Sequence, residues 1–385
     1  MFPFPAVADR AGLEAIETPR PGVTPASRRQ GLAQDTARKL NNIGFLRLLL
    51  ASLVIIGHAP EIIDGDRRRE PLTMIFHTLS LGEAAVDGFF LISGYLIAMS
   101  MARSSSLASF MSRRVLRIYP AYVVAFLIAV LVVAPLAGGK VDEPLRSITR
   151  MALLQTPPAY AGQFAGLPMP DLNGAMWTIS YEFRCYLLVG ALGICGVLGR
   201  RRALGLMTIA ALAIAVSATF PSVRHALDAA DQRLHAQAVI GSLAQTVRLN
   251  AIFLVGVCGY AFRDRLMAVA DGRSAFVATV LMTMLMLIGH VAELAVATLG
   301  GYALFWLAFK ADLGGLRKIN DGWDISYGVY LYGWPVAILL LWYNRGISPV
   351  ALALATFPIA LMLGAASWWG VERWSSRLGR RRAPQ

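Results

Sequence analysis

Arg47 and His58 stand eleven residues apart in the stretch NNIGFLRLLLASLVIIGHAPE. On an α-helix that is about three turns, so guanidinium and imidazole share a face roughly 16 Å apart along the axis. Imidazole titrates near neutrality and can take a proton from a hydroxyl; guanidinium is a fixed cation that suits phosphate. The same spacing also fits an arginine snorkelling to one membrane interface and a histidine marking the other. Glu83 and Asp87, in LGEAAVDGFFLISGYLIAMS, lie four apart on one helical face, and two carboxylates inside a bundle need partners. Glu182 follows a plausible interface anchor, Trp177, in NGAMWTISYEFRCYLL. It is expected at the depth of His58, where a carboxylate can set an imidazole tautomer and stabilise its charged form.

A third group sits in FMSRRVLRIYPAYVVAFLIAVLVVAP, where Arg113, Arg114 and Arg117 crowd the start of an apolar run. Arg114 and Arg117, three apart, face the same way, and Arg113 is about a hundred degrees round. Membrane topology asks for positive charge in such a loop, but not for a paired spacing beside Tyr119 and Pro120. In DISYGVYLYGWPVAILL and WWGVERWSSR, structural roles suffice for most of Ser326, Tyr327, Tyr330, Trp334, Glu372 and Arg373.

The elements that must position these residues are apolar. Of 385 residues, 56% are hydrophobic and 15% charged, and the mean hydropathy is +0.56. Soluble domains carry about 25% charged residues. The composition predicts an integral membrane protein, with no long polar stretch left for a second core. Runs long enough to cross a bilayer are expected near 43–58, 82–101, 119–136, 177–198, 203–220, 239–262, 275–290, 292–309, 325–343 and 349–371. The predicted fold is all-α, a polytopic bundle of about ten transmembrane helices with both termini cytoplasmic. That count puts the loops richest in Lys and Arg on one side, as the positive-inside bias requires; the exception is DGDRRRE, 64–70, whose arginines are partly offset by acids.

The net charge of +13 is thus read as loop charge on a lipid-embedded protein rather than nucleic-acid binding. Cys185, Cys195 and Cys258 lie in apolar runs without metal-ligand spacing and are assigned to packing. Residues 1–40 are expected to be a flexible cytoplasmic tail without the apolar core of a secretory signal, 41–375 the membrane domain and 376–385 a basic tail. The long outer loop, about 137–175, could cover a site.

From about Asn42 to Trp374 the chain resembles the acyltransferase 3 family of integral membrane acyltransferases, the polysaccharide O-acetyltransferase-like group. Arg47 and His58 match its Arg-then-ten-residues-then-His signature. Phe89, Phe90, Ser93, Gly94 and Tyr95 resemble its Phe-Phe-x-x-Ser-Gly-Phe block. Arg114, Arg117, Tyr119 and Pro120 resemble Arg-x-x-Arg-(Ile/Leu)-Tyr-Pro, and Trp177, Ser180 and Glu182 its Trp-Ser-Leu-Ser-Val-Glu segment. ISYGVYLYGWPV resembles Ser-Tyr-x-x-Tyr-Leu-x-His-x-Pro. Two positions depart: Gly333 stands where many members have His, and Thr178 replaces the first serine of the Trp-Ser block.

The resemblance implies a multi-pass protein of the bacterial inner (cell) membrane that moves an acyl group, usually acetyl from acetyl-CoA, from the cytoplasmic side to a carbohydrate hydroxyl outside. The acceptor would be a surface or exopolysaccharide or its lipid-linked precursor. The partners implied are acyl-CoA, the acceptor, the bilayer and polysaccharide-assembly proteins, with no nucleic acid, no metal and no permanently bound cofactor. His58 would act as general base or transient acyl acceptor, with Glu182 orienting it. Arg47, Arg113, Arg114, Arg117 and Tyr119 would bind the donor. Asp87, Phe90, Ser93, Trp177, Ser180 and Tyr330 would shape the site. The rival reading is a transporter or flippase of a glycolipid or small solute without acyl transfer, since intramembrane charge is typical there too; against it, no inverted repeat is evident.

Overall fold

The computed structural model describes residues 41–234 and 241–381. The expected tail 1–40, the first residues of the run at 239–262 and the end of the C-terminal tail lie outside the described residues. From Asn41 onward the chain forms one compact unit, helical throughout, with no strand among the described residues. In order its helices are α1 (Ile43–Asp64), α2 (Pro71–Phe76), α3 (Leu81–Ala102), α4 (Leu107–Leu136), α5 (Pro144–Ala152), α6 (Trp177–Ile194), α7 (Arg201–Ser217) and α8 (Pro221–Leu234). There follow α9 (Leu243–Ala261), α10 (Arg263–Val269), α11 (Gly272–Leu285), α12 (Gly289–Phe309), α13 (Ser326–Tyr343) and α14 (Pro349–Leu378).

Six of these, α1, α3, α4, α9, α12 and α14, are long and apolar enough to cross a bilayer; the pairs α7–α8, bent by 96°, and α10–α11, bent by 97°, raise the count to eight if each is one span. Leu131, Ile194, Leu206, Ile209, Leu354 and Met362 are all exposed. Apolar surface on that scale belongs against lipid, as in a multi-pass membrane protein. A count of ten is reached only by adding α6 and α13. Both fall short in hydropathy for a physical reason. Helix α6 carries Glu182 and Arg184, although Leu187 and Ile194 are exposed, and α13, rich in tyrosine and tryptophan, is buried almost end to end and so needs little lipid-facing apolar surface.

Glycines set the closest crossings. A Cβ on Gly94 of α3 would strike the Phe253 carbonyl of α9, and one on Gly256 of α9 would strike the Leu91 carbonyl of α3. Gly328 of α13 and Gly364 of α14 meet in the same way, a Cβ on the first reaching 2.7 Å from the Cα of the second. Without a hydrophobic drive between helices in lipid, such backbone approach supplies the dispersion contact that holds them.

The long loop, 137–175, folds back into the bundle. It leaves α4 at Ala137, whose carbonyl also accepts the Phe164 N–H at 3.0 Å. Between those points it reaches back, because Tyr122 Oη donates to the Gln155 carbonyl (2.5 Å) and Tyr119 Oη to that of Ala152 (2.9 Å). Tyr122 and Ala137 are fifteen residues apart, roughly 22 Å along α4, so α5 runs down beside α4 and the chain returns. The loop then descends along α13: Asp171 accepts from Trp334 Nε1 at 2.9 Å, Asn173 Nδ2 donates to the Leu331 carbonyl at 2.8 Å, and Ala175 accepts from Tyr330 Oη. Helix α6 therefore starts deep in the bundle.

Candidate active site

Helix α4 carries three arginines into different surroundings. Arg117 is held twice, Nη2 to Asp324 Oδ2 at 2.7 Å and Nη1 to Glu372 Oε2 at 3.0 Å. Glu372 is aimed there by a π-helical widening of α14 at Trp368–Glu372. Arg47 of α1 approaches the same Asp324 oxygen and Ser326 Oγ, each at 3.4 Å. Burial opposes ionisation of Asp324, but Arg47 and Arg117 outweigh it, with hydrogen bonds from Ser326 and Asn320, and hold the carboxyl well below its ordinary range. Arg114 has no acid partner among the described residues. Its Nη2 is 3.5 Å from Ser100 Oγ, the Phe110 and Tyr186 rings lie 5.9 Å from its guanidinium, and its Nε is buried without a partner. A buried guanidinium left open in this way is poised for an anion. Arg113 instead bonds Ser104 and Ser109.

These residues line two adjacent cavities. One is lined by Arg47, Ser93, Arg114, Arg117, Glu182 and Tyr327, among others. The second shares Arg47, Glu182 and Tyr327 with it and is lined further by Phe90, Thr178, Val86, Phe89 and Tyr330. Glu182 faces the junction, accepting from Ser93 Oγ at 3.0 Å and Tyr186 Oη at 2.5 Å. Phe89 and Tyr330 meet edge to face, centroids 6.0 Å apart, at the far end.

His58 stands beyond that pair, about one helical turn from Tyr330 along α13 and two from Phe89 along α3. Its ring packs edge-on against Trp334, four residues after Tyr330, at 5.0 Å, and Gly82, four residues before Val86, lies beside it, a Cβ there falling 4.0 Å from its Cε1. Its Nδ1 is 2.8 Å from Glu61 Oε2. With that nitrogen donating, Nε2 is the free base. The carboxylate partner is therefore Glu61, one turn along α1, rather than the expected Glu182. Glu182 bonds Ser93, and Ser93 and Gly82 are eleven residues apart on α3, roughly 16 Å. The descent of the loop along α13 puts Glu182 at the level of Arg47, not of His58.

The remaining expected residues divide. Ser93, Phe90 and Tyr330 line the cavities, and Tyr330 is fixed by Thr178 Oγ1 at 2.6 Å. Trp177, half-buried, packs edge to face on Tyr181, centroids 5.5 Å apart. Ser180 is bonded by Arg184 Nη2 at 3.1 Å, and Tyr119 turns to the Ala152 carbonyl and the Phe183 ring; neither lines either cavity. Asp87, fully buried, pairs with Arg248 at 2.6 Å, which also meets Glu293, in a separate cluster with α9 and α12. Sequence reasoning missed Glu61, Tyr186 and Asp324. Glu61 was in view, three residues after His58 on the same face.

Residues 40–380 match the family model described as acyltransferase domain. Among curated proteins the chain is similar to an O-acetyl transferase of Shigella phage Sf6, 30% identical over 158 residues, 40% of this chain and 45% of that protein. It is similar to acyltransferase MdmB of Streptomyces mycarofaciens, 35% identical over 124 residues, 30% of this chain and 29% of the relative. Nodulation protein 10 of Rhizobium leguminosarum bv. viciae is 34% identical over 160 residues, 38% of this chain and 42% of the relative. The matched stretches span less than half the length of each relative. No solved structure matches the chain.

Proposed function

Because the chain belongs to the acyltransferase domain family, and so is an enzyme that transfers acyl groups, we propose that it moves acetyl from cytoplasmic acetyl-CoA to a hydroxyl of a carbohydrate acceptor across the membrane. The acceptor in this reading is an extracytoplasmic surface polysaccharide or its lipid-linked precursor, and the membrane is the bacterial inner one, with ten crossings and both termini cytoplasmic. The name of the phage relative, an O-acetyl transferase, supports the acetyl group and the oxygen acceptor. One observation carries the reading: two adjacent cavities that share Arg47, Glu182 and Tyr327 lie between Arg114, whose Nε is buried without a partner among the described residues, and the Phe89–Tyr330 pair on the side of His58.

The donor's phosphates engage Arg114 through charge-assisted hydrogen bonds, with Arg113 flanking, while Arg47 and Arg117 keep the wall ordered through Asp324. The pantetheine arm follows the cavity past Glu182. The Phe89–Tyr330 pair then yields to let the thioester reach His58. His58 Nε2 takes the proton of the acceptor hydroxyl as its oxygen attacks the thioester carbonyl. The C–S bond breaks, and the proton passes from the imidazolium to the departing sulfur, so the products are the ester and CoA thiol. Glu61 keeps Nδ1 as the donor nitrogen throughout. A thioester already has a good leaving group, so the chemistry asks for positioning and a base.

The test is release of free CoA by purified protein in detergent, with acetyl-CoA and candidate sugars. Acceptor-dependent release that His58→Ala abolishes is expected. Glycolipid movement without acyl turnover would replace this reading with that of a transporter.

A further inference from the structure

The loop DGDRRRE breaks the charge bias of the chain, and two of its three arginines answer only to local acids. Arg68 pairs with Asp66 and Arg69 with Asp64, with side chains 88% and 57% exposed. Arg67 turns inward. Gly65, in the left-handed conformation at φ 75°, ends α1 and reverses the chain over its last turn, with its N–H on the Glu61 carbonyl. Arg67 Nε then donates to Glu61 Oε1 at 2.9 Å and Nη1 to Glu83 Oε1 at 2.5 Å. Glu83 and Glu61 keep this guanidinium charged against the cost of its burial.

Each oxygen of Glu61 thus has one task, Oε2 on His58 and Oε1 on Arg67. Glu83 is itself fixed, since its Oε2 accepts from Ser80 N at 3.0 Å and Ser80 Oγ at 3.1 Å in the capping box that starts α3. The chain of contacts His58–Glu61–Arg67–Glu83 ties the imidazole of α1 to the first turn of α3. The other acid beside it, Glu70, is committed to Leu81 N and Thr73 N. A carboxylate on a flexible stem at the end of α1 would otherwise rotate toward water and release Nδ1.

We propose that Arg67 is a positioning residue for acyl transfer: it clamps Glu61 so that His58 presents Nε2 to the acceptor. The proposal rests on His58 being the base. Outer partners that fix the tautomer and orientation of metal-binding histidines matter about 10- to 100-fold, and Arg67 stands in the same relation to His58 through Glu61.

The experiment compares steady-state kinetics of Arg67→Ala, Arg67→Lys, Glu61→Gln, the double variant Glu61→Gln/Arg67→Ala, Arg68→Ala/Arg69→Ala and His58→Ala in detergent. Arg67→Ala is expected to lose about 10- to 100-fold in kcat with KM for acetyl-CoA unchanged. Arg67→Lys should fall between it and wild type, and the double variant should be no slower than Glu61→Gln, because both act through one carboxylate. Arg68→Ala/Arg69→Ala should match wild type. Wild-type kcat in Arg67→Ala, or full additivity with Glu61→Gln, would overturn the clamp. If Arg67→Ala does not accumulate, Arg67→Lys decides: a several-fold loss in kcat supports the clamp, and wild-type kcat overturns it. Activity in His58→Ala would instead remove the underlying base assignment, a separate failure.

Discussion

Arg114 and Arg117 are one helical turn apart, yet their loss should be felt in different measurements. Arg117 bridges Asp324 and Glu372, and the Glu372 side chain is only 2% exposed. Removing one partner of a buried pair costs about 3–5 kcal/mol; because Arg117 itself keeps 24% exposure, about 3 kcal/mol is the fitting end of that range. Arg117→Ala should therefore lower the melting temperature in detergent clearly, whether or not donor is present. Arg114 has no ion pair among the described residues and a buried, unpartnered Nε. Its removal should leave stability unchanged or slightly higher. What it should remove is a charge-assisted hydrogen bond to the donor, about 1.5–3 kcal/mol, or about 10- to 150-fold in acetyl-CoA affinity at 1.4 kcal/mol per tenfold. The assay pairs a thermal melt with an equilibrium titration of acetyl-CoA, with Arg201→Ala/Arg202→Ala as a control for charge placement alone. A destabilised Arg114→Ala with normal affinity, or equal affinity loss in the control, would refute the assignment of the anion site.

Phe89→Ala should open the far end of the cavity to water, so acceptor-independent CoA release should rise several-fold; unchanged background release would show that the Phe89–Tyr330 pair does not separate the two compartments. The Asp324 carboxyl is depressed by its arginines, so its stabilisation is fully present above about pH 3.9, the unfolded value, and is lost as pH falls toward the folded value. The gap in melting temperature between wild type and Asp324→Asn should accordingly stay constant from pH 6 to 9 and close only in strong acid; a gap that changes near neutrality would contradict this. Gly94→Ala would drive a methyl into the Phe253 carbonyl of α9, an overpacking cost of about 1–3 kcal/mol, visible as a lower melting temperature, whereas Gly199→Ala, with open space around it, should be silent.

The apolar runs were legible because lipid-facing helices must be apolar along their length, and α1, α3, α4, α9, α12 and α14 follow that rule. Helix α13 was readable as a run but fails a hydropathy test, since protein rather than lipid surrounds Tyr330 and Trp334. The arginines of α4 were visible as a group, but not the division of labour among them. That depends on Asp324 and Glu372, 207 and 255 residues further along the chain. The depth of Glu182 was misjudged because hydropathy says nothing of a loop that turns inward, and only the contacts of Asp171, Asn173 and Ala175 with α13 reveal the descent. Glu61 was within reach of helical spacing alone, and its neighbour Arg67 was not, because a left-handed glycine decides where that side chain points.

The most direct test is the position of a bound donor, determined by electron microscopy of the purified protein with a thioether analogue of acetyl-CoA that cannot be transferred. Phosphates against Arg114, an arm passing Glu182, and an acyl end beyond Tyr330 beside His58 Nε2 are the predicted result. A nucleotide seated away from Arg114, or an arm that leaves the bundle without approaching His58, would contradict the account.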